Sequence, residues 1–156
     1  MRIRDFVADD AAALALIFHE SVRRVGSRDY GREQVEAWSP APVSAETFLA
    51  RVSDGRLVLV AVDERDRPVG FIELETDGHI DCFYCHPDCV GTGVGSALHA
   101  RLEQGARKAG LPRLHVEASE AARRFFLRKG YDLIGRRDFV RNNVPIHNYR
   151  MEKFLR

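Results

Sequence analysis

Three runs in succession constrain this chain most: RLVLVAVD (56–63), PVGFIELE (68–75) and HIDCFYCH (79–86). Each is rich in branched and aromatic residues, and the connectors ERDR and TDG are short enough for antiparallel hairpins. After this meander comes the glycine-rich turn VGTGVGS (90–96) and a helix from about 93 to 109. The helix places Val94, Leu98, Leu102, Ala106 and Ala109 at the spacing of one buried face, and Gly110 ends it.

The flanking sequence completes an α+β pattern. Residues 2–6 alternate as a first or edge strand. A helix is expected from about 9 to 25, with Ala13, Leu16, Ile17, Glu20 and Arg24 dividing into apolar and polar faces, and Gly26 after it. Short helices over 31–38 and 44–52 are separated by the breaker SPAP. Downstream, 112–119 reads as a strand, 120–129 as a helix, and 131–140 and 145–154 as two more strands. No linker, repeat or low-complexity segment interrupts the 156 residues, so one domain spanning 1–156 is expected.

Charge narrows the partners. The chain has 24 basic and 23 acidic residues, whereas a dedicated nucleic-acid binder shows a basic excess. No apolar run approaches the roughly 18 residues of a membrane span, and Asp9 and Asp10 sit directly before the N-terminal apolar stretch, which is not the layout expected of a signal peptide. A cytoplasmic protein, without nucleic-acid or membrane partners, is expected. A homodimer is compatible with the composition and required by nothing in it.

The run Cys82-Phe83-Tyr84-Cys85-His86 has the form of a c-type haem attachment site, and Cys89 follows. Two observations set a haem or metal aside. Haem attachment belongs to oxidising compartments, while the odd count of three cysteines argues against a disulfide framework. On a strand, Cys82 and Cys85 also point to opposite faces and cannot share one ion. They are expected to be small apolar fillers.

The glycine turn is the stronger signal. Backbone N–H groups at a helix N-terminus are unsatisfied and positively polarised, which suits a phosphate. A Walker loop is excluded because Gly95-Ser96 lacks the lysine. A Rossmann fingerprint is excluded because the turn follows an antiparallel meander.

With its strand, this turn resembles motif A of the GCN5-related N-acetyltransferases (GNAT superfamily). The pattern reads Phe83-Tyr84-Cys85-His86-Pro87, then Val90-Gly91-Thr92-Gly93-Val94-Gly95. Downstream, LHVEASEAARRFFLRKGYDLIG is similar to motif B of that family. The resemblance implies a GNAT-like fold, a mixed and mostly antiparallel sheet flanked by helices on both faces. It implies acetyl-CoA as co-substrate. Gly91, Thr92, Gly93, Val94, Gly95 and Ser96 would hold its pyrophosphate, and Phe83, Tyr84 and Cys85 would pair with its pantetheine arm. The implied reaction is direct attack of a primary amine, from a small molecule or a peptide, on the thioester in a ternary complex.

Three positions depart from the family pattern. Val90 replaces the usual Arg or Gln, leaving the cradle to the backbone. Ser119 replaces the motif-B Asn. Phe126 stands where many members carry a tyrosine near the departing sulfur, so that general-acid role is vacant.

For proton removal, His79 and Asp81 share a strand face near the place where the family sets its base. An imidazole of ordinary pKa accepts a proton at neutral pH, so His79 is expected as base with Asp81 orienting it or the incoming ammonium. Glu73 and Glu75 are weaker candidates, expected on a solvated face. Tyr30, Trp38, His147 and Tyr149 are expected around the acceptor. A non-catalytic acyl-CoA-binding regulator of the same fold is the competing expectation, favoured by Phe126 and opposed by the His79–Asp81 pair.

Overall fold

The computed structural model describes residues 1–156. Along the chain run β1 (Arg2–Asp5), α1 (Ala11–Arg24), α2 (Arg32–Trp38), α3 (Ala45–Arg51), β2 (Leu57–Val62), β3 (Pro68–Leu74) and β4 (His79–Cys85). Then come α4 (Val94–Lys108), β5 (Arg113–Ala118), α5 (Glu120–Arg128), β6 (Asp132–Arg141) and β7 (Val144–Phe154). The strands form one sheet in the order β1-β2-β3-β4-β5-β7-β6. Every adjacent pair is antiparallel except β4 and β5.

Helices cover both faces, as expected. On one face α4 and α5 bury Leu98, Leu102, Ala106 and Phe126 against Leu59, Ala61, Ile72 and Leu114. On the other, α1 and α3 bury Leu14, Ile17 and Phe48 against Val58, Val60, Val62 and Phe71. Strand β2 therefore feeds alternate residues into two cores, which explains its unbroken apolar run. Each such aliphatic side chain contributes about 1.5–3 kcal/mol by leaving water.

Two helix expectations need correcting. Leu16 is exposed, because α1 buries Ala11, Leu14, Ala15, Ile17, Ser21 and Val22 instead. Ala109 is also exposed; it is the C-cap of α4, past the last turn that meets the sheet.

Strand β4 contains a bulge. Its residues Ile80 and Phe83, three apart, face Leu74 and Ile72, two apart. The extra residue puts Ile80, Phe83 and Cys85 on the α4 side and Cys82 and Tyr84 on the α1–α3 side. Cys82 and Cys85 thus lie on opposite faces.

Candidate functional site

Strands β4 and β5 pair over only two positions, His79 with His115 and Ile80 with Val116. A further bond from the His115 N–H to the Gly78 carbonyl ties them just before the first pair. Beyond Ile80 and Val116 they diverge, so the β4 edge at 81–85 has no strand on its β5 side. The fork opens into a cavity of about 550 Å³, within the range of small-ligand sites. Asp81 and Glu117 are the first residues past the fork, one on each strand, and both line the cavity.

One end of the cavity is the glycine turn. Gly93 is the N-cap of α4 with φ +93°, and no side chain caps this helix end. The first-turn N–H groups of Val94, Gly95 and Ser96 are thereby left for a ligand. Gly95 permits close approach of the helix to β4: a Cβ there would lie 3.2 Å from Phe83 Cζ and 3.7 Å from Phe125. Gly91, Gly93, Gly95 and Ser96 line the cavity with Phe83, Tyr84, Cys85 and Val90. The side chains of Thr92 and Val94 do not: the Thr92 hydroxyl turns back to the Cys89 carbonyl at 2.5 Å, and Val94 is buried in the core. Those two can contribute backbone only.

The opposite wall is the start of α5. Ser119 lines the cavity and caps the helix, its Oγ accepting from the Ala122 N–H at 3.2 Å. Phe126 is fully buried, its ring 5.8 Å from Phe83 and 4.7 Å from Tyr131. Tyr131 does not stand in for the missing hydroxyl. It is outside the cavity lining, its hydroxyl is bonded to His99 Nε2 at 2.8 Å, and burial pushes its pKa far above the ordinary range.

At the fork the charges are strongly coupled. Arg51 and Arg56 converge on Glu73, which is wholly buried: Arg51 bonds both its oxygens at 2.6 and 2.7 Å, and Arg56 donates at 2.8 Å. The same guanidinium groups reach Asp81 at 3.0 and 2.7 Å. Glu73 is therefore a buried ion-pair partner and does not belong to a solvated face. Glu75, His79 and Asp81 do share one face, with one donor atom of each within 4.8 Å of the others.

His79 is tied on both sides. Its Nε2 lies 2.5 Å from Glu117 Oε2 and its Nδ1 3.0 Å from Glu75 Oε1. The hydrogen bond to Glu117, with that to Glu75 and against the effect of burial, raises its pKa to about 9. His79 is hence an imidazolium at neutral pH, and it does not line the cavity. That corrects the expectation of a free imidazole base there. The same bond holds the Glu117 carboxyl below its usual range.

The other end of the cavity is enclosed by α2 and β7. Tyr30 lines it while bracing its walls: the hydroxyl donates to the His147 carbonyl at 2.9 Å and accepts from the Glu120 N–H at 3.1 Å. Burial pushes its pKa up to about 12. Trp38 and His147 also line the cavity. Tyr149 does not; it lies beside Glu120 at 3.5 Å with the Arg123 guanidinium over its ring. Glu117, Val35, Ile146 and Asn148 are lining residues that sequence reasoning missed. Only Glu117 carried a signal, as an acid in the strand that opens motif B.

Comparison with known proteins agrees with this geometry. A family model described as acetyltransferase (GNAT) domain matches residues 27–153. The chain is 27% identical over 134 residues to the Escherichia coli N-acetyltransferase YafP, covering 86% of this chain and 83% of that one. It is 31% identical over 129 residues to the E. coli peptidyl-lysine N-acetyltransferase YjaB, covering 74% and 84%. A crystal structure of a GCN5-related N-acetyltransferase from Rhodopseudomonas palustris superposes with a TM-score of 0.90 at 39% identity, covering 99% and 95% of the two chains. A GNAT phosphinothricin acetyltransferase from Sinorhizobium meliloti, solved with AcCoA, superposes at 0.80 with 21% identity, covering 99% and 88%.

Proposed function

The chain belongs to the GNAT acetyltransferase family, and from that premise we propose how its cavity divides the work. The protein is an acetyl-CoA-dependent N-acetyltransferase; the acceptor and the residues that serve it are the subject of the proposal. Acetyl-CoA, when bound, supplies the thioester that an unprotonated amine attacks, with the CoA thiolate as leaving group.

The chain's residues fit that co-substrate. The uncapped first turn of α4 offers N–H groups to a pyrophosphate, and the open β4 edge at Phe83, Tyr84 and Cys85 offers main-chain groups to an amide-bearing arm. Ser119 and Phe126 bound the same space from α5, and the apolar Val90 borders it with no charge.

Glu117 directs proton removal in this proposal, and the observation that carries it is its place at the fork. Its Oε2 is held by His79, while its Oε1 makes no hydrogen bond within the protein. Through that free oxygen Glu117 can hold a water that takes the proton from the incoming ammonium and releases it to solvent, so the depressed carboxyl need not itself stay protonated. His79 positions Glu117 by fixing one oxygen. Asp81, anchored by Arg51 and Arg56, adds negative charge on the opposite strand and attracts the ammonium. No side chain protonates the thiolate; a thiol pKa of about 8.5 makes the anion a tolerable leaving group near neutral pH.

The proposal keeps a cytoplasmic setting, supported by three free cysteines; no helix is long and apolar enough to cross a membrane. The test is release of free thiol from acetyl-CoA with a panel of primary amines. Glu117→Gln should lower kcat by about 10²–10⁴-fold and leave the acetyl-CoA thermal shift intact. Unchanged kcat in that variant would remove Glu117 from the role.

A further inference from the structure

The acids that line the cavity already have cationic partners. Asp29 is bound by Arg124, Asp81 by Arg51 and Arg56, and Glu117 by His79. Two further arginines reach the lining from β6 and have no carboxylate of their own. Arg137 donates from Nε to Asn148 Oδ1 at 3.1 Å, and the Arg141 guanidinium lies 4.5 Å from the Trp38 ring centroid. The two terminal nitrogens of Arg137 make no hydrogen bond within the protein.

Strand geometry sets these groups on the acceptor side of the sheet. Arg137, Phe139 and Arg141 alternate along β6 and so share a face. Arg137 pairs with Asn148 on β7 and Phe139 with Ile146; both β7 residues line the cavity. Arg137 is half-buried, its guanidinium 4.4 Å from the Phe139 ring centroid. Asn148 is 5% exposed. An arginine only donates, so the amide oxygen is the atom it holds, and Asn148 Nδ2 is left with no partner in the protein. Glu117 pairs with Arg150, which makes Asn148 its diagonal neighbour across β5 and β7, about 7–8 Å away. The lining arginine, Arg128, stands elsewhere, one turn of α5 beyond Phe125, whose ring borders Gly95 at the phosphate end.

We infer that the acceptor is a small zwitterion, a primary amine with a carboxylate a few atoms from the nitrogen, and that Arg137 and the Asn148 amide hold the carboxylate. The inference rests on the acetyltransferase reading and names the substrate class for that same cavity. The ammonium goes to Glu117 and Asp81 at the fork. The carboxylate meets a planar guanidinium with both terminal nitrogens free, which suits paired N–H···O bonds, and a second donor in Asn148 Nδ2. The short diagonal between Glu117 and Asn148 matches the few bonds between amine and carboxylate in a free amino acid. Arg141, exposed at the end of the same row, adds positive potential. Val35, Trp38 and Ile146 are left to pack on the rest of the carbon skeleton.

The experiment compares kcat/KM for phenylalanine, leucine, methionine and glutamate with phenylalaninamide and 2-phenylethylamine, and follows acetyl-CoA binding separately by thermal shift. The best amino acid should exceed both uncharged-end amines by on the order of 10–100-fold, the range of hydrogen bonds to a charged group. Arg137→Gln should raise KM for that amino acid by a similar factor and leave 2-phenylethylamine little changed, so the ratio between them collapses. Arg137→Lys should restore part of the ratio, since it returns the charge without the fork. Arg150→Gln should keep the wild-type ratio, because Arg150 is exposed and touches no lining side chain. Turnover of phenylalaninamide or 2-phenylethylamine equal to the best amino acid would overturn the inference while leaving the acetyltransferase intact. So would an unchanged ratio in Arg137→Gln, a ratio lost in Arg150→Gln instead, or no turnover of any amino acid by protein that binds acetyl-CoA. Failure to bind acetyl-CoA at all would instead refute the reading beneath it.

Discussion

His79 on β4 and Glu117 on β5 meet at 2.5 Å at the point where the two strands part. This ion pair closes the base of the fork, where the sheet has only two residue pairs holding its halves together. Because the His79 pKa is raised to about 9, its contribution to stability has a defined pH window. The folded protein binds the proton more tightly than the unfolded chain, whose imidazole titrates near 6.5. The contribution is therefore complete below about 6.5 and is lost as pH rises through 9. His79→Gln should lower Tm most near pH 6, with the gap from wild type closing by pH 10. Calorimetry at pH 6, 8 and 10 checks it, and a gap that does not change with pH would refute the assignment.

The glycine turn should fail for two different reasons at two positions. Gly93 has φ +93° with open space around its missing Cβ, so Gly93→Val strains the backbone without a clash. A β-branched residue in that region is a genuine outlier, and the first turn of α4 must shift to relieve it. Gly95→Val keeps an ordinary helical backbone but drives methyl groups towards Phe83, already 3.2 Å from the Cβ position. Both variants should lose the rise in Tm that saturating acetyl-CoA gives the wild type by mass action. Normal shifts in both would mean the pyrophosphate binds elsewhere.

Glu73 is the centre of the buried charge cluster, fully enclosed and contacted by two guanidinium groups. Its partner Arg56 has a side chain only 6% exposed. Glu73→Ala would leave that cation in the protein with Asp54, Asp81 and, at 3.8 Å, Glu75 as its remaining neighbours. Removing one member of a buried pair costs about 3–5 kcal/mol, and urea unfolding should read a loss of that order. A loss below about 1 kcal/mol would show that the remaining carboxylates suffice.

Much of this architecture is legible in the sequence because the signals are local. Strand alternation, short hairpin connectors and the glycine turn specify the meander and α4. What is not legible depends on contacts between distant segments. The β4–β5 pairing joins residues 36 positions apart over just two pairs, so nothing in the sequence aligns Glu117 with His79. Without that alignment His79 reads as a free imidazole. Glu73 reads as a surface acid for the same reason: its partner Arg51 lies on α3, 22 residues away. Leu16 misleads because helical periodicity alone leaves the buried face to be set by what packs on it.

His99 makes a pH prediction of opposite sign to that of His79. It is buried in α4 between the rings of Phe125 and Phe126, 5.8 and 6.0 Å away, and its Nε2 meets the Tyr131 hydroxyl at 2.8 Å. Burial, outweighing the attraction of the nearby Glu103, lowers its pKa to about 4. The folded state thus keeps a neutral imidazole while the unfolded chain takes up a proton below about 6.5. Stability attributable to His99 should fall as pH drops from 6.5 towards 4, with a limiting slope of about 1.4 kcal/mol per pH unit. His99→Phe removes that titration but leaves the buried Tyr131 hydroxyl without a partner, at about 1–3 kcal/mol. The variant should be less stable than wild type at pH 7, and the difference should shrink or invert by pH 4.5. His99→Phe combined with Tyr131→Phe should recover part of the loss at pH 7 and keep the shallower acid dependence. Urea unfolding of the three proteins at pH 7, 5.5 and 4.5 decides it: parallel acid dependences would mean that His99 does not titrate in this window.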